Sequence, residues 1–356
     1  MKKSRITRRG FLSRSIFALG SGLILSRKSF SAEKKKEFIP VGMQVSETFK
    51  ETVFKLKLSG KVESIKLLQF TDIHFNPLRK GRKEDETSKD IMRKLVDLTE
   101  PHLLAITGDT WAENPFGKGL SFLEGAVEFF GTLGVPWLYT WGNHDMLSDY
   151  SKGHDLLASG KHSMYRGGRE YGNYEVVIND ETGKSLWRIL CINTNYYGFL
   201  DEQKKWLSGW IEKNMDNTTP VFLACHIPIY QYHTIWEEKI ASGVKFEKVC
   251  YEKEKGSAFD VISKVPGLKA CICGHDHVND YSGVYKGIDL IYGRATGLGG
   301  YGADLVPKGG KLYTLFPSTG EYDWVSITPD NERWHPPKGM MIERKEELPW
   351  LNKLVG

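Results

Sequence analysis

Cysteine is scarce, and the few present have no regular way to pair. The five are Cys191, Cys225, Cys250, Cys271 and Cys273 in 356 residues. An odd count at wide spacing excludes a disulfide scaffold. Four of the five sit in apolar, strand-like runs, so buried free thiols are expected. Cys271-x-Cys273 is read as a strand segment whose two sulfurs point apart. Also missing is any apolar run near the roughly twenty residues a membrane-spanning helix needs. There is no internal repeat and no linker long enough to divide the core. With 40% hydrophobic and 12% aromatic residues, general disorder is excluded too. What remains is a chain able to bury a large layered core.

Acidic residues are absent from the first 32 positions, which hold eight lysines and arginines. The formal +5 of the whole chain therefore becomes −3 for the rest. Long nucleic acids need basic grooves and are not expected partners. The basic start, an apolar stretch from Ile16 to Leu25 and a small-residue site at Ser29-Phe30-Ser31-Ala32 read as an export signal. Thr7-Arg8-Arg9-Gly10-Phe11-Leu12 resembles the twin-arginine motif. That resemblance implies export of a folded protein by the twin-arginine translocation machinery. A bacterial periplasmic or secreted location is expected, with no stable transmembrane span after processing, or a membrane anchor if the leader is retained.

Residues 33–61 read as a charged lead-in with one or two edge strands, and residues 329–356 as a peripheral tail. The regular part, 62–328, begins with a buried strand at 65–71. A helix over 87–99 follows, with Thr87 or Ser88 as a possible cap. A strand at 103–107, a helix over about 119–133 and a strand at 135–139 complete a βαβαβ rhythm, which predicts parallel strands. Residues 146–172 read as loop. Further strands are expected near 174–178, 186–193, 221–225, 270–273, 280–284, 288–292, 311–316 and 323–327, with helices near 201–214 and 257–264.

Polar clusters follow the buried strands. They are Asp72-Ile73-His74, Gly108-Asp109, Gly142-Asn143-His144-Asp145, Cys225-His226 and Gly274-His275-Asp276-His277. In parallel α/β sheets, ligands gather outside the carboxyl ends of the strands. Asp72, His74, Asp109, Asn143, His226, His275 and His277 form a mixed oxygen and nitrogen donor set. It suits Mn, Fe, Zn, Co or Ni better than Ca or all-oxygen Mg. Seven donors serve two ions best if one bridges. A carboxylate bridges well where an imidazole does not, and Asp109 is the natural bridge. Asn143 is neutral, so two divalent ions would leave a net positive centre, suited to phosphate.

The ordered motifs resemble the calcineurin-like metallophosphoesterase superfamily across roughly 62–328. The resemblance implies an α/β fold, a two-sheet β-sandwich flanked by helices in α/β/β/α layers. It implies one divalent transition-metal ion held by Asp72, His74, Asp109 and His277. Asp109, Asn143, His226 and His275 would hold the second. His144 would contact phosphate and assist the leaving oxygen, with Asp145 orienting its ring. The implied reaction is hydrolysis of a small phosphoester, monoester or diester, by attack of a metal-bound hydroxide on phosphorus. Gln69 to Phe75 and His226 to Tyr230 also look like a branch related to purple acid phosphatases. Purple members carry a tyrosine a few residues after the GD motif, where this chain has Thr110-Trp111-Ala112-Glu113-Asn114. No purple colour is therefore expected. A non-catalytic metal-binding scaffold, and a nucleotide pyrophosphatase or nuclease, are the alternatives.

Outside these motifs the expectations are plainer. His154, His162 and His233 read as surface or rim histidines, His233 being the best substrate contact. Gly297-Leu298-Gly299-Gly300-Tyr301-Gly302 opens no helix and reads as a turn or active-site wall instead of a dinucleotide fingerprint. Arg294 could face a phosphate or a surface carboxylate. Trp206, Trp210 and Trp236 read as core or helix-packing residues.

Overall fold

Short apolar runs become buried strands because covering both faces of a sheet leaves no need for polar alternation. In chain order the strands, buried and edge alike, are β1 (Val53–Lys57), β2 (Ile65–Phe70), β3 (Leu103–Ile106), β4 (Trp137–Tyr139), β5 (Tyr174–Asn179), β6 (Ser185–Cys191) and β7 (Val221–Ala224). There follow β8 (Ala241–Lys245), β9 (Leu268–Cys273), β10 (Asn279–Tyr285), β11 (Ile288–Tyr292), β12 (Gly310–Phe316), β13 (Glu321–Ile327), β14 (Arg333–Trp334) and β15 (Met341–Ile342). The computed structural model describes residues 52–76, 83–168, 171–344 and 347–348, together with the backbone alone at 169. The expected export signal and most of the lead-in lie outside the described residues.

The strands form two mixed sheets flanked by helices, an α/β fold. One has the order β14-β13-β12-β2-β3-β4, the other β1-β5-β6-β7-β9-β11-β10-β8-β15. β2, β3 and β4 are parallel, as are β6, β7, β9 and β11. β1, β14 and β15, which fall outside 62–328, lie at sheet edges.

Alternation along the strands divides the core. Ile189, Phe222, Ala224, Ala270, Ile272 and Ile291 face the six-stranded sheet and join its apolar residues in one cluster. Leu190, Leu223, Cys271, Cys273, Leu290 and Tyr292 face the other way, onto Leu207, Trp210, Tyr232, Ile235 and Trp236 of the covering helices. Cys271 and Cys273 thus share a face, contrary to the expectation. A strand repeats every two residues, so positions i and i+2 point the same way. All five cysteines are free thiols.

Two local expectations are corrected. Among the described residues the first helix spans Lys83–Thr99, so it already holds the residues before the expected start at 87. Thr87 and Ser88 lie inside it, their hydroxyls donating back to the Lys83 and Glu84 carbonyls at 2.7 Å each. Glu84, Asp85 and Glu86 in the first turn suit the helix dipole. The loop-rich stretch 146–172 contains a helix, Tyr150–Ser159, capped by Asp149, whose carboxylate accepts from the Ser151 and Lys152 amides. Its glycine hid it. Gly153 packs so tightly that a Cβ there would lie 2.3 Å from Leu147 Cδ1.

Candidate metal centre

The strands that carry the motifs end level with one another. Phe70 pairs with Ile106 and Ile106 with Tyr139 in one sheet. Ala224 pairs with Ile272 and Cys273 with Tyr292 in the other. A bridge between Thr71 and Ala295 joins the two groups of strand ends. Just past them, Asp72, His74, Asp109 and His275 adopt left-handed backbone, with φ of 53°, 51°, 52° and 82°. Non-glycine residues rarely do so, and such strain collects at functional sites. The unusual turn throws each side chain back over the strand end, into the space between the sheets' edges.

All seven expected donors meet there, buried. His74 Nε2 lies 3.0 Å from His277 Nε2 and 3.5 Å from Asp109 Oδ2. His277 Nε2 lies 3.3 Å from Asp72 Oδ1. On the other side, His226 Nε2 is 3.2 Å from each of Asp109 Oδ2, Asn143 Oδ1 and His275 Nδ1. Two groups emerge, Asp72-His74-His277 and Asp109-His226-His275. Asp109 Oδ2 stands between them, while its Oδ1 accepts from the His144 amide at 2.8 Å.

The donor set fits metal on three counts. Atoms about 2.1 Å from a shared ion sit about 3.0–3.4 Å from each other, and most donor pairs here have that spacing, with His74 Nε2 somewhat farther from Asp109 Oδ2 at 3.5 Å and from Asp72 Oδ1 at 4.0 Å. Asp72 Oδ1 is buried with no hydrogen-bond partner, a costly state for a carboxylate oxygen unless a cation faces it. Two histidines also turn a ring nitrogen to the same space. His226 Nδ1 donates to the Thr107 carbonyl at 2.7 Å, so in the neutral ring Nε2 carries no proton. His275 Nε2 donates to Glu252 Oε1 at 3.3 Å, which turns Nδ1 towards His226 Nε2, 3.2 Å away. Two ring nitrogens and a carboxylate this close favour something positive among them, a metal ion or a proton. The same field acts on protons. Burial opposes a charge on His226, yet the adjoining Asp109 carboxylate raises its pKa to about 9. Burial works against the Asp72 carboxylate, but His277 holds it well below the usual range.

The calcineurin-like phosphoesterase family model matches residues 65–279. The chain belongs to this family. It is 25% identical over 316 residues to a protein of Arabidopsis thaliana named probable inactive purple acid phosphatase 28, covering 74% of this chain and 78% of that one. It is 24% identical over 257 residues to the phosphatase DCR2 of Saccharomyces cerevisiae, covering 61% and 44%. Among solved structures, a dimetal phosphatase from Danio rerio shares the fold, with a TM-score of 0.51 and 13% identity over 74% of this chain and 95% of that one.

Within this phosphoesterase fold some residues stand apart from their expected places. Asp145 does not orient the His144 ring. Its two oxygens accept from the Asp109, Thr110 and Gly142 amides at 3.1, 2.7 and 2.8 Å and from the Tyr139 hydroxyl at 2.6 Å. It ties the GD loop to the GNHD loop, while burial and then Asp109 push its carboxyl up to about 7. The carboxylate near His144 is Glu113, with Oε1 3.9 Å from Nδ1. The His144 ring itself meets His74 edge-on, centroids 5.2 Å apart. Arg294 faces neither phosphate nor surface. It is buried against Asp280, which Lys311 and Ser326 also contact. His154 is in the core beside Tyr165 and Trp141. Burial replaces the rim position expected for it. His162 is exposed, and His233 is half-buried beside Tyr230.

The glycine-rich run is a wall of the site. A Cβ on Gly297 would lie 1.7 Å from the Ile73 carbonyl, and one on Gly300 would lie 2.3 Å from His277 Cε1. Tyr301 stacks on His277 with centroids 4.2 Å apart at 7°. Tyr301 lies in the run expected as a turn or active-site wall, whereas the motifs did not reveal Glu113 or Glu252. Each lies in a loop whose residue types read equally well as surface.

Proposed function

We propose that this chain is an exported phosphoester hydrolase working with two divalent transition-metal ions. The supporting observation is the convergence of Asp72, His74, Asp109, Asn143, His226, His275 and His277 at 3.0–3.5 Å beside His144. Bound there, the ions supply Lewis-acid stabilisation and lower the pKa of water. Asp72, His74 and His277 would hold one, Asn143, His226 and His275 the other, with Asp109 between them. The donors include only two carboxylates, so the loaded site attracts a phosphate and disfavours neutral esters. His144, edge-on to the His74 ring, would contact the phosphate. With Nδ1 beside Glu113, Nε2 is the atom that passes a proton to the leaving oxygen.

Assay of chelated protein re-supplied with Mn, Fe, Zn, Co or Ni, on nitrophenyl phosphate mono- and diesters, tests this reading. Turnover restored by metal is expected, and the ratio of the two substrates assigns the ester class. A metal-binding protein without turnover is the second reading, favoured by relatives named probable inactive phosphatases. Two bound ions and no hydrolysis of either ester would support it. Export rests on Arg8 and Arg9 within the basic leader. Replacing both with lysine should strand the protein in the cytoplasm, and undiminished export would refute the twin-arginine route.

A further inference from the structure

We propose that Glu252 is a positioning residue that sets the affinity of the second metal site. The inference rests on the dinuclear reading above. His226 and His275 present opposite ring nitrogens to that site, Nε2 and Nδ1 respectively, 3.2 Å apart. A histidine can do so only if its other nitrogen keeps the proton, and each has an acceptor that holds it. For His226 the acceptor is the Thr107 carbonyl, buried at a strand end and part of the fold itself. For His275 it is the Glu252 carboxylate, whose side chain is 39% exposed on the rim. One ligand of the site is thus oriented by the core and the other by a surface loop.

The loop is built to hold Glu252 inward. Its φ is +54°, a conformation a glutamate does not choose unaided. Both flanks are pinned. The Cys250 amide donates to Asp276 Oδ2 at 3.2 Å, and the Tyr251 ring meets Tyr230 with centroids 4.9 Å apart. The Lys253 amide donates to the Tyr197 carbonyl at 3.0 Å, its ammonium lies 3.8 Å from the Tyr197 ring centre, and buried Glu254 accepts from the Tyr230, Gly256 and Ala258 amides. A freely solvated glutamate would need none of this. An anionic acceptor also does what a carbonyl does less well. It makes the imidazole a stronger donor to metal, and partners of this kind typically change metal affinity by about 10–100-fold.

The test uses the full chain, freed of metal with a chelator and titrated with Mn(II) by calorimetry and electron paramagnetic resonance. Wild type should bind two equivalents and show an exchange-coupled pair. Glu252→Ala should bind the second equivalent about 10–100-fold more weakly. It should bind the first unchanged and show a mononuclear spectrum at one equivalent. Glu252→Gln, whose amide oxygen still accepts, should fall between. Melting of the metal-free variants should match wild type. Unchanged affinity for the second equivalent in both variants would overturn the proposal, as would equal weakening of both equivalents or a lowered metal-free melting point. Wild type that binds only one equivalent would overturn the dinuclear reading, and this proposal with it.

Discussion

His144 and His154 are near neighbours in the chain, and water separates their roles. The His144 side chain keeps 15% exposure at the mouth of the donor cluster, whereas His154 is 3% exposed among aromatic rings. Replacing His144 with alanine should leave both metals bound and lower kcat by about 10²–10⁴-fold. Metal analysis beside a kinetic assay checks both halves, and loss of metal would show that His144 is a ligand. For His154, burial lowers the pKa from 6.5 to about 4. The unfolded chain therefore takes up the proton first, so the stabilisation is full above about pH 6.5 and fades as pH falls towards 4. Between pH 7 and pH 5 this group should cost about 2 kcal/mol. Urea denaturation of metal-free wild type and His154→Gln should show a pH dependence smaller by that amount in the variant. Equal dependence would refute it.

Elements matter here mainly where they end. After β2, β3 and β9 the chain presents its motif through left-handed backbone at Asp72, Asp109 and His275. The loops that follow lie so close that glycine is required between them. A Cβ on Gly142 would lie 2.1 Å from the Asp109 amide nitrogen, with no flexible side chain to give way. Gly142→Ala should destabilise by about 3 kcal/mol or more and empty the site. Gly125→Ala is the control, since nothing lies within 4 Å of a Cβ there, on the exposed face of helix Gly119–Thr132. It should stabilise by about 1 kcal/mol. Thermal melting and metal content of the two variants decide the matter. Strand positions were legible in the sequence because apolar runs ending in polar clusters have no bland explanation. Helix starts were not, because threonine and serine serve as well inside a first turn, bonded back to carbonyls, as at a cap.

At the scale of the molecule, the donor cluster spans both sheets. Asp72, His74, Asp109 and Asn143 follow β2, β3 and β4, while His226, His275 and His277 follow β7 and β9. An unfolded chain cannot assemble such a set, so metal bound to the native state should stabilise it. With free metal about 1,000 times above Kd, one site contributes about 4 kcal/mol. Emptying one site should then lower Tm by roughly 6 °C. Calorimetric melting with and without chelator measures this, and an unchanged Tm would argue against metal held by both sheets. Among the described residues no helix is long and apolar enough to cross a membrane.

The order of five motifs behind buried strands was enough, from the chain alone, to indicate the α/β phosphoesterase fold and the donor residues. Ligand identity is a local property: a side chain of the right chemistry at the end of a strand. Partners are not local. Asp145 serves the backbone of the GD loop instead of the His144 ring because five donors from two strand ends surround it once the sheet has formed. Glu252 sits in a charged run that reads as solvated surface until the fold brings it to His275, 23 residues away. Arg294 and His154 were drawn into the core for the same reason. Burial depends on what the rest of the chain packs over a residue, and only the tertiary structure decides that.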